Sequence, residues 1–330
     1  MMNLKLPRRQ FLRLAAGATA LPALSRVASA QAYPTRPVTI VDTFPPGGST
    51  GIIARILADK FSETIGQQFI VDQRGGAGGT VGARQIARSA PDGYTIMLGF
   101  TGTLAIAPSL YSNSGYDPRK DFAPIGRIGT APSSLVVHPS FPARSVAELI
   151  SYAKANPGKV SFGSAGIGSV NHVAGELFAA MAGIKLLHVP YRGTGPALTD
   201  LLGGHIPVVF APVPATHENA KNGLIRMLGV TSLSRSTLVP DMPTIAEQGL
   251  NGYEAVLLYG LVAPAGTPRP IIERLNKELR AVLRSDDIRA RFATVGAEPL
   301  SSTPDEYAAD IEREEAKWSA LVKSLGLKAE

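Results

Sequence analysis

The sequence predicts an α/β fold in which parallel-rich sheets are flanked by helices. Short apolar runs typical of strands alternate with amphipathic runs typical of helices, and this alternation indicates parallel sheets. Two other stretches, 122–138 and 253–263, have an extended character and exceed the usual five or six residues of a strand. We interpret them as two segments that cross between lobes and form a hinge.

The predicted elements follow one another along the chain after Gln31. The strand-like runs are 37–43, 68–72, 94–99, 160–164, 186–190, 206–210 and 225–230. The helix-like runs are 50–64, 145–155, 169–182, 213–221, 268–284 and 304–325. Trp318, in the last of these helices, is expected to be buried.

The two crossing segments predict a discontinuous arrangement of domains. Lobe 1 comprises residues 31–129 together with 259–330, and lobe 2 comprises residues 130–258. A cleft between hinged lobes is a preferred place for a ligand. Two consecutive domains with a single linker near residue 140 are an alternative that the sequence leaves open.

Residues 1–30 have the pattern of an export signal. The twin Arg8-Arg9 precedes an alanine-rich apolar stretch and then Ala28-Ser29-Ala30, an A-x-A cleavage pattern. The run from Arg8 to Leu12 resembles the twin-arginine (Tat) signal, which is read by a receptor. We therefore expect a cleaved signal peptide and a periplasmic mature protein. An amphipathic helix retained in the mature protein is the alternative.

Charge and cysteine content exclude several classes of function. The formal net charge is +7, but segment 1–30 carries five basic residues and no acid, so the remainder carries +2. A nucleic-acid partner would need a concentrated basic face, so none is expected. The sequence contains 0 cysteines, which rules out disulfides, thiolate metal sites and a cysteine nucleophile.

Two glycine-rich loops predict an anion site. The run FPPGGSTG, from Phe44 to Gly51, lies between a strand and a helix, and the run GSAGIGS, from Gly163 to Ser169, lies in the same context. Helix N-termini expose N–H groups and a positive dipole end, so two of them facing one cleft would suit a carboxylate. Ser169 is expected to be the N-cap of the helix that follows the second loop, and a plain helix cap after a turn is the alternative to an anion site for either loop.

Two further glycine-containing segments have similar positions. Arg74–Gly79 precedes a helical run from Thr80, and Thr101-Gly102-Thr103 follows a strand. In open α/β sheets, ligands bind outside the carboxyl ends of the strands, where such loops lie.

A serine hydrolase is the runner-up hypothesis. Gly47–Gly51 matches G-x-S-x-G, with Ser49 as the nucleophile, and Asp200 and His217 follow in the required order. The serine follows the first strand, however, whereas that fold places several strands before its elbow. His172 and Glu176 share a helix face, but no third ligand accompanies them, so we expect no metal. The dinucleotide-like pattern that begins at Gly166 has Asn171 where its third glycine belongs, so we expect no cofactor.

The chain resembles the tripartite tricarboxylate transporter (TTT) substrate-binding proteins, the Bug or TctC family. The matching motifs run from Tyr33 to the C-terminus, and it is their joint order that is specific. They are YPTRPVTIV, FPPGGST, ARILADKF, IGQQFIVDQR, GAGGTVGA, PDGYT, YDPRKDFAPIG, ELISYAKANPGKVSFGSAGIGS, HVPYRG, ALTDLLGGHI, PDMPTIAEQGL and APAGTP.

The resemblance implies a two-lobed periplasmic binding protein of type II-like fold, which is not an enzyme. Such a receptor closes on a small organic, carboxylated ligand and delivers it to a membrane permease with TctA/TctB-like subunits. A monomer is the simplest state for a hinged receptor. A receptor that feeds a sensor instead of a permease is a third possibility.

The resemblance also implies a set of ligand-binding residues from five segments. They are Phe44, Pro46, Gly47, Gly48, Ser49, Thr101, Gly102, Thr103, Ser164, Ala165, Gly166, Ser169, Tyr191, Arg192 and Phe210.

Four positions depart from the family pattern. Gly51 stands where aspartate is usual, Gln73 and Gly75 replace asparagine and proline, and Tyr259 replaces a common tryptophan. The absent carboxylate at position 51 puts amino-acid ligands in doubt. If Gly51 tunes selectivity, Gly51→Asp should weaken the binding of anions through like-charge repulsion.

Overall fold

The computed structural model describes residues 33–44, 49–111 and 113–328. The predicted signal peptide, residues 1–30, lies outside the described residues, as do Pro46, Gly47 and Gly48. The described residues from Arg36 onwards belong to one compact unit.

The described residues form ten strands and ten α-helices. The strands are β1 (Val38–Asp42), β2 (Phe69–Gln73), β3 (Thr95–Phe100), β4 (Phe122–Val137), β5 (Ser161–Ser164), β6 (Leu187–Pro190), β7 (Val208–Pro212), β8 (Arg226–Val230), β9 (Val256–Pro264) and β10 (Glu298–Pro299). The helices are α1 (Ser49–Ile65), α2 (Thr80–Ala87), α3 (Ala107–Leu110), α4 (Val146–Ala155), α5 (Val170–Ala182), α6 (Thr194–Leu202), α7 (Val213–Lys221), α8 (Arg269–Val282), α9 (Asp286–Ala293) and α10 (Pro304–Ser324).

The strands form one mixed sheet with a parallel group on each side of a long antiparallel pair. The order is β2-β1-β3-β9-β4-β7-β5-β6, and β8 and β10 also pair with β4. β1 is parallel to β2 and β3, and β5 is parallel to β6 and β7. The predicted α/β class with parallel-rich sheets is therefore confirmed.

The two long extended segments predicted from sequence are β4 and β9. They pair antiparallel from Phe122↔Pro264 to Pro132↔Val256, with two register shifts. β4 continues beyond this pairing to meet β7 and β8, so it belongs to both halves of the sheet. The proposed lobe boundaries fall inside β4 and β9, and they stay a prediction.

The buried side chains explain how the helices pack on this sheet. α5 covers β5 and β7 through a cluster that contains Phe162, Phe178 and Phe210, and Trp318 of α10 joins the same cluster with no exposed surface. The burial expected for Trp318 is thus confirmed. α10 begins with a capping box between Thr303 and Glu306.

Three helices were missing from the predicted elements: α3, α6 and α9. α6 begins at Gly193, which lacks a capping side chain. α9 begins after Ser285 with two aspartates in its first turn, but half of its 8 residues are charged and they form no long apolar stripe. No helix among the described residues combines the length and the apolar character needed to cross a membrane.

Candidate functional site: a cavity at the carboxyl ends of the strands

A cavity of about 890 Å³ lies where two groups of parallel strands end. Loops that follow β1, β2, β3, β5 and β6 all line it, and β9 contributes to its surface. Open α/β sheets bind ligands outside the carboxyl ends of their strands, and here the ends of two oppositely directed strand groups meet near the middle of β4. The volume lies within the range of small-molecule sites.

Six of the residues predicted from sequence line this cavity. They are Phe44, Ser49, Gly102, Ala165, Ser169 and Arg192. The structure therefore brings together the loops after β1, β3, β5 and β6, which are far apart in sequence. Pro46, Gly47 and Gly48 lie outside the described residues.

The other described residues of the predicted set do not line the cavity. They are Thr101, Thr103, Ser164, Gly166, Tyr191 and Phe210. Thr101 bonds to the backbone of β9, and Tyr191 donates to Asp200 across 2.8 Å. Phe210 is only 1% exposed, because its ring packs in the cluster under α5. A direct ligand contact by any of them stays a prediction.

Two hydrogen-bonded pairs of hydroxyl groups lie on the side of the cavity formed by β1, β3 and β9. Ser49 Oγ lies 3.0 Å from the hydroxyl of Tyr259, and Thr43 Oγ1 lies 3.0 Å from Thr103 Oγ1. Burial raises the pKa of Tyr259 to about 12, so its hydroxyl stays protonated at neutral pH. Each pair fixes the direction of a side chain that borders the cavity.

Asp42 anchors the start of α1 from beneath the cavity. Its carboxylate accepts hydrogen bonds from Thr50 Oγ1, Gln73 Nε2 and the backbone N–H of Phe44. Burial nevertheless raises the pKa of Asp42 above its ordinary value, because the donors offset the loss of water only in part. Asp42 does not line the cavity.

The loop between β5 and α5 forms the facing wall. Gly166 and Gly168 have φ values of 127° and 78°, which side-chain-bearing residues rarely adopt. Ser169 caps α5 by accepting the N–H of His172, and it donates to the carbonyl of Gly166 across 2.7 Å. The sequence-based assignment of Ser169 as an N-cap is confirmed.

Two stacked histidines support this loop from behind. The rings of His172 and His188 are 3.9 Å apart between centroids. Gly168 N–H donates to His172 Nδ1, and Ser164 Oγ lies 2.7 Å from His188 Nε2. Burial lowers the pKa of His172 to about 3 and that of His188 to about 4, so both rings are neutral at physiological pH.

The charge of the cavity surface is carried by one side chain. Among the described lining residues, Arg192 is the one with an ionised side chain, and it is exposed. α1, α5 and α6 begin at this surface, and none has an acidic residue in its first turn. The lining therefore combines a cation with three helix N-termini, and both favour a bound anion.

Several residues of the lining are absent from the predicted set. Gly76–Gly79 follows β2 and borders the cavity beside Tyr111, and Leu257 and Tyr259 enter from β9. The glycine-rich run was a visible signal for the first group. The inward direction of the β9 side chains depends on strand pairing, which the sequence does not display.

The three residues required by a hydrolase each have other partners. Ser49 bonds to Tyr259, Asp200 accepts from Tyr191, and His217 Nε2 lies 3.9 Å from Glu218. The runner-up hypothesis therefore lacks its nucleophile–base contact. Within the described part of the chain, no group of three potential ligands could hold a metal ion.

A family model and several relatives match this chain. The model described as "Tripartite tricarboxylate transporter family receptor" matches residues 53–327. Protein BugT of Bordetella pertussis is 38% identical, with 91% of this chain and 92% of that protein covered.

The chain belongs to the tripartite tricarboxylate transporter receptor family.

Solved structures agree with this assignment. The structure of R. palustris Rpa4515 with adipate has a TM-score of 0.77 and 38% identity, covering 90% of the receptor and 99% of that chain. MatC from Rhodopseudomonas palustris with bound malate has a TM-score of 0.72 and 31% identity, covering 88% of the receptor and all of that chain (100%).

The family membership confirms the predicted fold and the predicted role. The receptor has the fold of the TctC/Bug periplasmic binding proteins, and it is an exported solute-binding protein that works with a membrane transporter. The hydrolase alternative finds no support among these relatives.

Proposed function

We propose that the receptor captures a small organic carboxylate in the cavity described above. The observation that carries this proposal is the charge of the lining: Arg192 is its one ionised side chain among the described residues, and no carboxylate opposes it. Charge-assisted hydrogen bonds to a carboxylate contribute roughly 1.5–3 kcal/mol each. The adipate and malate in the two solved relatives support the same class of ligand.

A thermal-shift screen of the mature protein tests this proposal. The panel contains dicarboxylates, aromatic acids and amino acids, and a bound acid should raise the unfolding midpoint because it stabilises the folded state alone. Arg192→Gln should reduce the shift, whereas Lys154→Gln, an exposed control that does not line the cavity, should leave it unchanged. Absence of any shift across the panel would contradict the proposal.

The membrane partner is proposed to be a permease with TctA/TctB-like subunits. Support comes from the family, whose receptors work with a membrane transporter. Cells that lack these permease subunits should fail to accumulate a labelled acid that the receptor binds. Unchanged uptake would favour a different transporter or a sensor.

The export route is proposed to be the Tat pathway, followed by cleavage after Ala30. The twin Arg8-Arg9 and the pattern Ala28-Ser29-Ala30 support this route. Replacing both arginines with lysine should retain the precursor in the cytoplasm. Normal export of that variant would argue for the general secretory route.

The receptor is further proposed to act as a monomer without enzymatic turnover. A bound acid should be recovered unchanged, and light scattering should give the mass of one chain with and without that acid. Ester hydrolysis by the wild type that disappears in Ser49→Ala would contradict the proposed absence of enzymatic turnover.

A further inference from the structure

The apolar part of the cavity surface is extensive and partly uncovered. Phe44 and Phe100 form an edge-to-face pair with centroids 4.9 Å apart, and Leu110 and Leu257 also line the cavity. Ile167, at the tip of the loop between β5 and α5, is 59% exposed. An exposed large apolar side chain at a cavity surface marks a place that an apolar group can cover.

The polar side chains of the lining are mostly bonded to the protein already. Six of them are engaged in this way. Their pairs are Thr43 with Thr103, Ser49 with Tyr259, Thr50 with Asp42, Asn171 with Ser133, and Ser169 with the carbonyl of Gly166. A ligand hydroxyl that enters beside one of these pairs competes with a hydrogen bond that the protein already makes, and among the described lining residues only Tyr111 and Thr194 carry hydroxyls outside these pairs.

The cost of an unsatisfied polar group decides which acids fit. Burying a hydroxyl without a partner costs about 1–3 kcal/mol, and an unpaired ammonium costs far more. No carboxylate lines the cavity in the described part of the chain, so an ammonium group would find no counter-ion there. A hydrocarbon body, in contrast, gains from contact with the Phe44–Phe100 pair and Ile167.

We propose that the cavity selects a carboxylate whose body is a hydrocarbon chain or ring, and that it discriminates against hydroxylated and amino-substituted acids of the same skeleton. This inference rests on the proposed function, because it takes the carboxylate as given and assigns the rest of the ligand. Specificity then comes from two sources: the lining hydroxyls are already hydrogen-bonded within the protein, and the apolar lining attracts the hydrocarbon body of the ligand.

Matched pairs of acids test the inference by titration calorimetry. Adipate and galactarate share six carbons and two carboxylates and differ in four hydroxyls. 3-Phenylpropionate, 3-phenyllactate and L-phenylalanine share one skeleton and differ in one substituent. We expect each unsubstituted acid that binds to do so at least about tenfold more tightly than its substituted partner, as one lost hydrogen bond implies.

A variant of the exposed apolar position provides the second arm. Ile167→Ser should weaken the unsubstituted acid by about three- to tenfold, because part of the apolar contact is lost. Leu233→Ser is the matched control, since Leu233 is 54% exposed but does not line the cavity. Both sites are solvent-exposed, so the substitutions are compatible with folding.

The outcomes separate this inference from the proposed function. Equal or tighter binding of galactarate, 3-phenyllactate or phenylalanine overturns the inference and leaves a carboxylate receptor in place. Absence of binding by every acid of both series also overturns it, and the broader screen then decides whether the receptor function stands. An equal loss of affinity in Ile167→Ser and Leu233→Ser would show that Ile167 makes no specific contact with the ligand, and it overturns the assigned apolar contact.

Discussion

Gly51 is packed so closely that a Cβ atom at this position would collide with its neighbours. Gly51 is buried and does not line the cavity. A Cβ there would lie 2.5 Å from Gln73 Nε2 and 3.2 Å from Asp42 Oδ2. The amide of Gln73 therefore occupies the space beside Gly51 and donates to Asp42. The expectation of direct repulsion between position 51 and a ligand loses its geometric basis.

Gly51→Asp should lower stability more than affinity. The new side chain displaces Gln73 and places a second carboxylate beside the buried Asp42, which should cost about 2–4 kcal/mol of unfolding free energy. Urea denaturation of the variant measures this cost. Gly51→Ala is the control, because it displaces the same amide without adding a charge and should cost less. Equal stability of wild type and Gly51→Asp would contradict the packing argument.

At the scale of elements, the loop between β5 and α5 depends on the strand β6. His188 comes from β6 and His172 from the first turn of α5, and their stacked rings contact Ser164 and Gly168 at both ends of the loop. Neutral rings suit this role, because Nδ1 of His172 must remain free of a proton to accept the N–H of Gly168.

The buried His172 should make the protein less stable in acid. Its pKa is lowered by burial from 6.5 to about 3, so between these values the unfolded chain binds a proton that the folded chain does not. The free energy of unfolding should therefore fall as the pH falls through this window, by at most about 1.4 kcal/mol per pH unit from this residue.

A pH series of urea denaturation curves measures this effect. His172→Asn should flatten the decline below pH 6.5, whereas His205→Asn, at an exposed position, should preserve the wild-type slope. The prediction is wrong if the slope of His172→Asn equals that of the wild type.

At the scale of the whole molecule, β4 and β9 are the shared framework of the two strand groups. The 16-residue β4 pairs with β9 over its first part and with β7 and β8 over its second part. Bending of these two strands would move the loops after β1–β3 relative to those after β5 and β6, which border the same cavity. The predicted lobes 31–129 plus 259–330 and 130–258 would then act as the moving bodies.

Ligand binding should shorten the distance between the predicted lobes. Because the chain contains 0 cysteines, Lys154→Cys in lobe 2 and Lys277→Cys in lobe 1 would carry the two spin labels. Addition of an acid identified in the screen should shift the distance distribution to shorter values. A second pair, Lys60→Cys with Lys277→Cys, lies within lobe 1 and should not change. An unchanged distance between the lobes would contradict hinge closure.

The sequence by itself determined the alternation of strands and helices, the two long extended segments and the glycine-rich loops at strand ends. These features are local, because periodicity, capping residues and glycines act over a few neighbouring residues. Ser169 as the cap of α5 and the loop of Phe44 and Ser49 were accessible in this way, whereas Arg192 was implied by the resemblance to the family.

The tertiary structure alone decided which side chains face the cavity. Phe210 points into the core and Tyr259 meets Ser49, because the register of paired strands sets the direction of every side chain. The stacking of His172 on His188 and the contact of Gln73 with Asp42 likewise join residues from separate strands and helices. Such contacts depend on distances across the folded chain, which no local pattern of residues encodes.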